Sequence, residues 1–167
     1  MRIRTTGAWL AGLALISGAA QAQGPYVGAK LGLMDVDQGR FDNAQNIGVV
    51  LGYDLFSDPV MSGGVELELT TTLVEGDVNV GTTIDWDIDT QALYGVVRFG
   101  DQWYAKLKLG LLREKVSFSP GGSDSETGLS AGFGGGWRLA PNIALEAEYT
   151  RIEEDVAFWS IGGRYAF

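Results

Sequence analysis

Three observations predict an all-β chain, folded as an eight-stranded antiparallel up-and-down transmembrane β-barrel. Eight stretches alternate apolar residues with polar residues or glycine, the connections between them alternate short and long, and the apolar stripes stand opposite balanced charges. Period-two alternation marks a strand whose two faces meet different surroundings. Each stretch also has roughly the 9–11 residues that a tilted strand needs to cross a bilayer.

The first stretch, "PYVGAKLGLM", sets Val27, Ala29, Leu31 and Leu33 against Gly28, Lys30 and Gly32. The second, "NIGVVLGYDL", sets Ile47, Val49, Leu51 and Tyr53 against Gly48, Gly52 and Asp54, and in the third, "GVELELTTTL", Val65, Leu67 and Leu69 oppose Glu66 and Glu68. The fourth, "WDIDTQALYGVVRFG", has two readings, because Asp85, Asp87 and Asp89 share a face with Leu93, Val97 and Phe99. Either the strand leaves the membrane near Gln91 or a bulge switches its faces; Leu93, Val97 and Phe99 are taken as outward, which places Arg98 inside.

The fifth stretch alternates most regularly, with Ala105, Leu107, Leu109 and Leu111 against Lys106, Lys108 and Gly110. The sixth sets Leu129, Ala131, Phe133 and Trp137 against Ser130, Gly132, Gly134, Gly136 and Arg138, and the seventh sets Ile143, Leu145, Ala147 and Tyr149 against Glu146 and Glu148. The eighth, "AFWSIGGRYAF", puts Trp159, Ile161, Gly163, Tyr165 and Phe167 on one face and Arg164 on the other. The connections "FSDP", "FGDQ" and "LAPN" are short and rich in turn formers, whereas "DVDQGRFDNAQ", "VEGDVNVGTTIDWD", "SPGGSDSET" and "RIEEDVA" are longer and acidic. Tyr26, Tyr53, Phe56, Phe99, Trp103, Trp137, Tyr165 and Phe167 fall near the short-turn ends, where an aromatic girdle is expected.

The face opposite the apolar stripes carries Lys30, Arg98, Lys106, Lys108, Arg138 and Arg164 against Asp54, Glu66, Glu68, Glu114, Glu146 and Glu148. In a soluble barrel these charges would face water and the leucines would fill the inside, leaving the interleaved glycines on the surface. The transmembrane reading uses both features, since glycine makes room for long side chains within and pairing offsets the several kcal/mol cost of a lone buried charge.

Residues 1–22 read as a secretory signal peptide: Arg2 and Arg4, an apolar run from Ala8 to Ile16, then small residues up to Ala22. Residues 23–167 are then the barrel domain. Loss of the signal removes two arginines and no acid from a chain of net charge −9, so nucleic acid is not an expected partner. The chain has no cysteine and no histidine, which removes disulfides, Ser-His-Asp and Cys-His catalysis and histidine metal sites together.

The segments "GLSAGFGGGWRLAPNIALEAEYTRI" and "FWSIGGRYAF" resemble the last hairpin and terminal strand of the small OmpA/OmpX-like outer-membrane β-barrel family, and "YVGAKLGL" and "YAKLKLGLL" resemble its first and fifth strands. The resemblance implies residence in the bacterial outer membrane, contact with its lipids and lipopolysaccharide, and insertion by the barrel-assembly machinery. That machinery reads a terminal aromatic with a second one two residues earlier, which Phe167 and Tyr165 match. The chain departs from the OmpA architecture in ending at the barrel, so a cell-wall anchor is not expected.

The expected function is therefore a structural or interaction role at the cell surface, with a salt-bridged lumen and acidic loops that meet an extracellular ligand. The alternative is a narrow gated pore for ions or small solutes. No cofactor is expected, and no enzyme activity, because Glu66/Glu68 and Glu146/Glu148 lie beside lysines and arginines where ion pairing accounts for them. Two minor sites are carried forward. Asp85, Asp87 and Asp89 offer three oxygen donors on one side of a strand for Ca²⁺ or Mg²⁺, and Arg113 and Arg151 point outward where lipopolysaccharide phosphates would lie.

Overall fold

The computed structural model describes residues 24–36, 44–74, 76–79, 83–119, 123–152 and 156–167. Within them the alternating stretches form β1 (Gly24–Val36), β2 (Ala44–Ser57), β3 (Met61–Val74), β4 (Gly76–Asn79), β5 (Thr83–Gly100), β6 (Trp103–Ser119), β7 (Ser123–Ala140), β8 (Ile143–Arg151) and β9 (Val156–Ala166). All neighbours pair antiparallel, β9 closes on β1, and β3 and β4 run along the same edge of β5. Those two segments form one stave, so the barrel has eight. The proposed signal, residues 1–22, lies outside the described residues, as do residues 37–43 and 153–155 of two of the acidic connections.

Parity fixes which side chains face out. Leu107, Leu109 and Leu111 are exposed on β6 whereas Lys106 and Lys108 are buried between them, and Val65, Leu67 and Leu69 alternate in the same way with Glu66 and Glu68 on β3. The fourth stretch, now β5, resolves its ambiguity without a bulge, because its register with β6 is unbroken from Asp85↔Ser119 to Gly100↔Tyr104. Asp89 and Gln91 therefore stay on the outer face with Leu93 and Phe99, and the strand leaves the membrane near Gln91. The short turns are tied by backbone hydrogen bonds from Asp58 N to Met61 O (2.7 Å) and from Gly100 N to Val60 O (2.8 Å). Gly100, at φ 122°, takes the left-handed turn that a side chain would strain.

The long connections are shorter than their sequences suggest. Residues Ser117–Ser119 of β6, paired with β5, and Ser123–Thr127 of β7, paired with β6, are strand that rises past the membrane, and so is the β4–β5 hairpin. Along this rise the barrel inverts its polarity. Below a line through Leu33, Ile47, Leu69, Leu93, Leu111 and Leu129 the outer face is apolar; above it the outward residues include Asp35, Gln45, Thr71, Gln91, Arg113 and Thr127, with Leu73 an apolar exception. The interior inverts too: Met34, Ala44, Ile88, Leu112, Ile152 and Phe158 form a buried apolar cluster at the loop side. Lipid demands an apolar exterior and tolerates a polar lumen, whereas water demands the reverse.

This boundary is testable with one cation. Leu109→Arg, outward and central in the apolar belt, is expected to cost about 2–4 kcal/mol, whereas Thr127→Arg, outward but above the line, should stay within about 0.5 kcal/mol. Urea unfolding of the protein folded in lipid vesicles reads both, and equal costs would refute the boundary.

Candidate functional site

Ten of the twelve inward charges meet in one connected network. At the short-turn end Arg164 Nη2 pairs with Asp54, whose other oxygen lies 3.3 Å from Arg98 Nη1. Arg98, wholly buried, also reaches Glu66 at 2.5 Å and Glu146 at 3.2 Å. Lys106 Nζ holds three carboxylates, Glu66 at 3.0 Å, Glu146 at 2.8 Å and Glu148 at 2.6 Å. Lys108 bridges Glu68 at 2.7 Å and Glu148 at 2.8 Å, and Lys30 completes the chain with Glu68 at 2.6 Å.

The network contains Lys30, Arg98, Lys106, Lys108 and Arg164 against Asp54, Glu66, Glu68, Glu146 and Glu148, so its formal charge sums to zero. No side chain in it is more than 11% exposed. Such burial is tolerable only when every charge is paired and hydrogen-bonded.

The remaining two inward charges lie elsewhere. Arg138 sits at the short-turn rim, where Nη1 donates to the Asp101 carbonyl at 2.5 Å and so braces that turn. Glu114 is buried at the loop-side end of β6, above these ten.

Three tyrosines belong to the lumen and were not among the expected site residues. Tyr26, assigned by sequence to the girdle, is 1% exposed and points inward. Its hydroxyl donates to Glu66 Oε1 at 2.8 Å and accepts from Arg98 Nη2 at 3.1 Å, while Arg164 lies 4.0 Å from its ring centre. The reason is parity, since Tyr26 shares a face with Lys30. Tyr104 donates to Glu146 at 2.6 Å, and Lys108 stands 4.6 Å from the centre of the Tyr94 ring.

Glycines give these rings their space: a Cβ on Gly52 would lie 2.0 Å from Tyr26 Cζ, and one on Gly136 2.1 Å from Tyr104 Cζ. The other girdle aromatics do face outward, with Trp103 and Trp137 stacked at 5.1 Å and Tyr165 edge-on to Phe167 at 5.3 Å.

The minor sites are placed only in part. Arg113 and Arg151 are both exposed just above the apolar belt. Asp89 is exposed and Asp87 partly so, whereas the side chain of Asp85 lies outside the described residues. Among the described residues no group of three or more His, Cys, Asp or Glu is placed to hold a metal ion.

A closed sheet with an apolar belt outside and paired ions within is a transmembrane β-barrel. The chain belongs to the family of the outer membrane protein beta-barrel domain, whose pattern matches residues 8–166. It is thus an integral protein of the bacterial outer membrane. Among solved structures it is similar to Ail of Yersinia pestis in complex with the heparin analogue sucrose octasulfate, at 22% identity and TM-score 0.58, covering 87% of this chain and 97% of that one. It is also similar to OprG of Pseudomonas aeruginosa, at 15% identity and TM-score 0.64, covering 86% and 96%.

The outer membrane enzyme PagL matches as well, at 13% identity and TM-score 0.52, covering 85% and 99%. At these identities the likeness is one of fold, and the fold carries both enzymes and non-enzymes. No curated protein sequence matches the chain.

Proposed function

We propose that this barrel acts through its outward surfaces, the lipid-facing wall and the acidic loops, while its lumen stays sealed. The observation that supports this is the ten-membered ion network, with a buried apolar cluster towards the loop side. An eight-stranded barrel is narrow enough for side chains to fill, and here the ion network and the apolar cluster, with buried polar groups such as Glu114 beside it, occupy the inside. The loops are acidic, so the extracellular partner they suit presents a basic surface; Ail, by contrast, was crystallised with a sulfated sugar.

The proposal includes export by a signal peptide cleaved after Ala22 and delivery to the barrel-assembly machinery through Tyr165 and Phe167. It also includes contact of Arg113 and Arg151 with lipopolysaccharide phosphates. Catalysis is not part of it, because a chain without histidine or cysteine lacks the usual activating bases and thiols.

The second reading, a narrow gated pore, draws on Lys106, whose three carboxylates offer alternative pairings. The two readings differ in lumen access, and the natural lack of cysteine allows that to be measured without background. In the folded full chain in vesicles, Ser57→Cys, half-buried at the short-turn mouth, should react with a charged maleimide, whereas Ala92→Cys, 3% exposed within the apolar cluster, should not. Labelling of Ala92→Cys at the Ser57→Cys rate would favour the pore.

A further inference from the structure

The glycines of this barrel fall into two groups. Most of those facing inward are crowded by lumen side chains, as Gly52 and Gly136 are, or by the neighbouring strand's backbone, as Gly64 and Gly110 are. Gly135 and Gly163 face lipid instead, and a Cβ there would meet nothing nearer than 3.5 Å and 4.0 Å respectively. Glycine weakens a strand through backbone entropy and missing side-chain contacts, and the fold itself does not require it at these two positions. Their effect is on shape.

With Ala29 and Ala147, also outward, these glycines hollow the wall formed by β7, β8, β9 and β1. A groove of about 1100 Å³ starts at the stacked Trp103–Trp137 pair. It shares Leu31, Ala147 and Ile161 with a second groove of about 540 Å³. That upper groove ends at the loop-side boundary under an aromatic cluster, where Tyr149 lies 5.3 Å from Phe133 and 4.7 Å from Trp159. Together they are one apolar furrow, continuous with the lipid-facing belt. Arg151 stands at its head, exposed on the same face of β8 two residues beyond Tyr149.

We propose that this furrow seats an acyl chain of lipid A, the phosphorylated glycolipid of the outer leaflet, with Arg151 meeting the head-group phosphate. Two arguments select this occupant. The furrow opens onto the bilayer along its length, so lipid is what reaches it. At the loop-side end Gln45 lines the upper groove, and Asp35 on β1 and Arg151 on β8 are exposed beside it; of these Arg151 suits an anionic head group, since guanidinium and phosphate match in charge and fork geometry. The proposal rests on the reading that Arg151 contacts lipopolysaccharide phosphate, and it adds where the chain lies.

The test uses the purified, folded full chain in detergent with lipid A added, washed, and assayed by native mass spectrometry for lipid A retained. Wild type is expected to keep lipid A. Ala147→Leu and Gly135→Leu, which fill the furrow, should weaken retention about tenfold, since each displaced methylene is worth roughly 0.8 kcal/mol. Gly95→Leu, outward on β5 with its nearest neighbour at 3.8 Å, should change nothing. Heat-dependent gel mobility establishes folding of each variant, and Gly135→Ala serves as the milder change if the leucine fails to fold.

Retention at the wild-type level in both furrow variants overturns the acyl seat. If Arg151→Leu alone lowers retention, the phosphate contact stands and the furrow proposal falls. If the furrow variants lower it and Arg151→Leu does not, the seat stands and the phosphate reading falls. A wild-type dimer that Gly135→Leu dissolves, with lipid A retention unchanged, makes the furrow a self-association face and overturns the proposal.

Discussion

Arg98→Met is expected to destabilise the folded barrel by about 3–5 kcal/mol, the usual cost of removing one partner from a buried ionic cluster. Arg98 is wholly buried and binds Asp54, Glu66, Glu146 and the Tyr26 hydroxyl. Asp54 would keep Arg164, and the two glutamates would keep Lys106, so the loss is a surplus negative charge among buried side chains rather than three orphaned acids. Adding Glu66→Gln should restore neutrality and recover much of the stability. The urea midpoint in vesicles, at constant slope, measures both variants. A loss below about 1 kcal/mol for Arg98→Met would mean that water screens the network, and the lumen would not be sealed.

The second large effect separates adjacent glycines. Gly136→Val should cost about 1–3 kcal/mol or prevent folding, because its Cβ would overlap the Tyr104 ring, which is held against Glu146. Combining it with Tyr104→Ala should show strong coupling, since the second change removes the clash. Gly135→Ala, one residue earlier on the lipid face, should instead be neutral or stabilise by about 0.5–1 kcal/mol. Equal penalties at the two positions would contradict the assignment of faces.

Both results depend on parity, and parity is the part of this structure most legible in the sequence. The alternation of Lys106 and Lys108 with Leu107 and Leu109 fixes inside and outside, and antiparallel pairing carries that assignment from strand to strand. The same rule would have placed Tyr26 inside with Lys30 and Tyr104 inside with Lys106. Proximity to the short turns suggested a girdle for Tyr26, although position along a strand does not decide its face.

The apolar cluster was harder to read. Met34, Ile88, Leu112, Ile152 and Phe158 share the inward face with charged residues, and their environment changes only because the barrel passes from lipid into water. Strand periodicity carries no mark of that height. Ile152 looked like loop, within "RIEEDVA", for the same reason. The loops hold acidic residues but no spacing that names a partner, since recognition there depends on loop conformation.

A lumen closed by paired charge should pass no ions, and single-channel recording tests this most directly. Refolded protein in planar bilayers, with insertion verified, should give no conductance steps at either of two salt concentrations. Reproducible steps that disappear when Lys106 or Glu146 is reversed in charge would contradict the seal and make the ion network a gate.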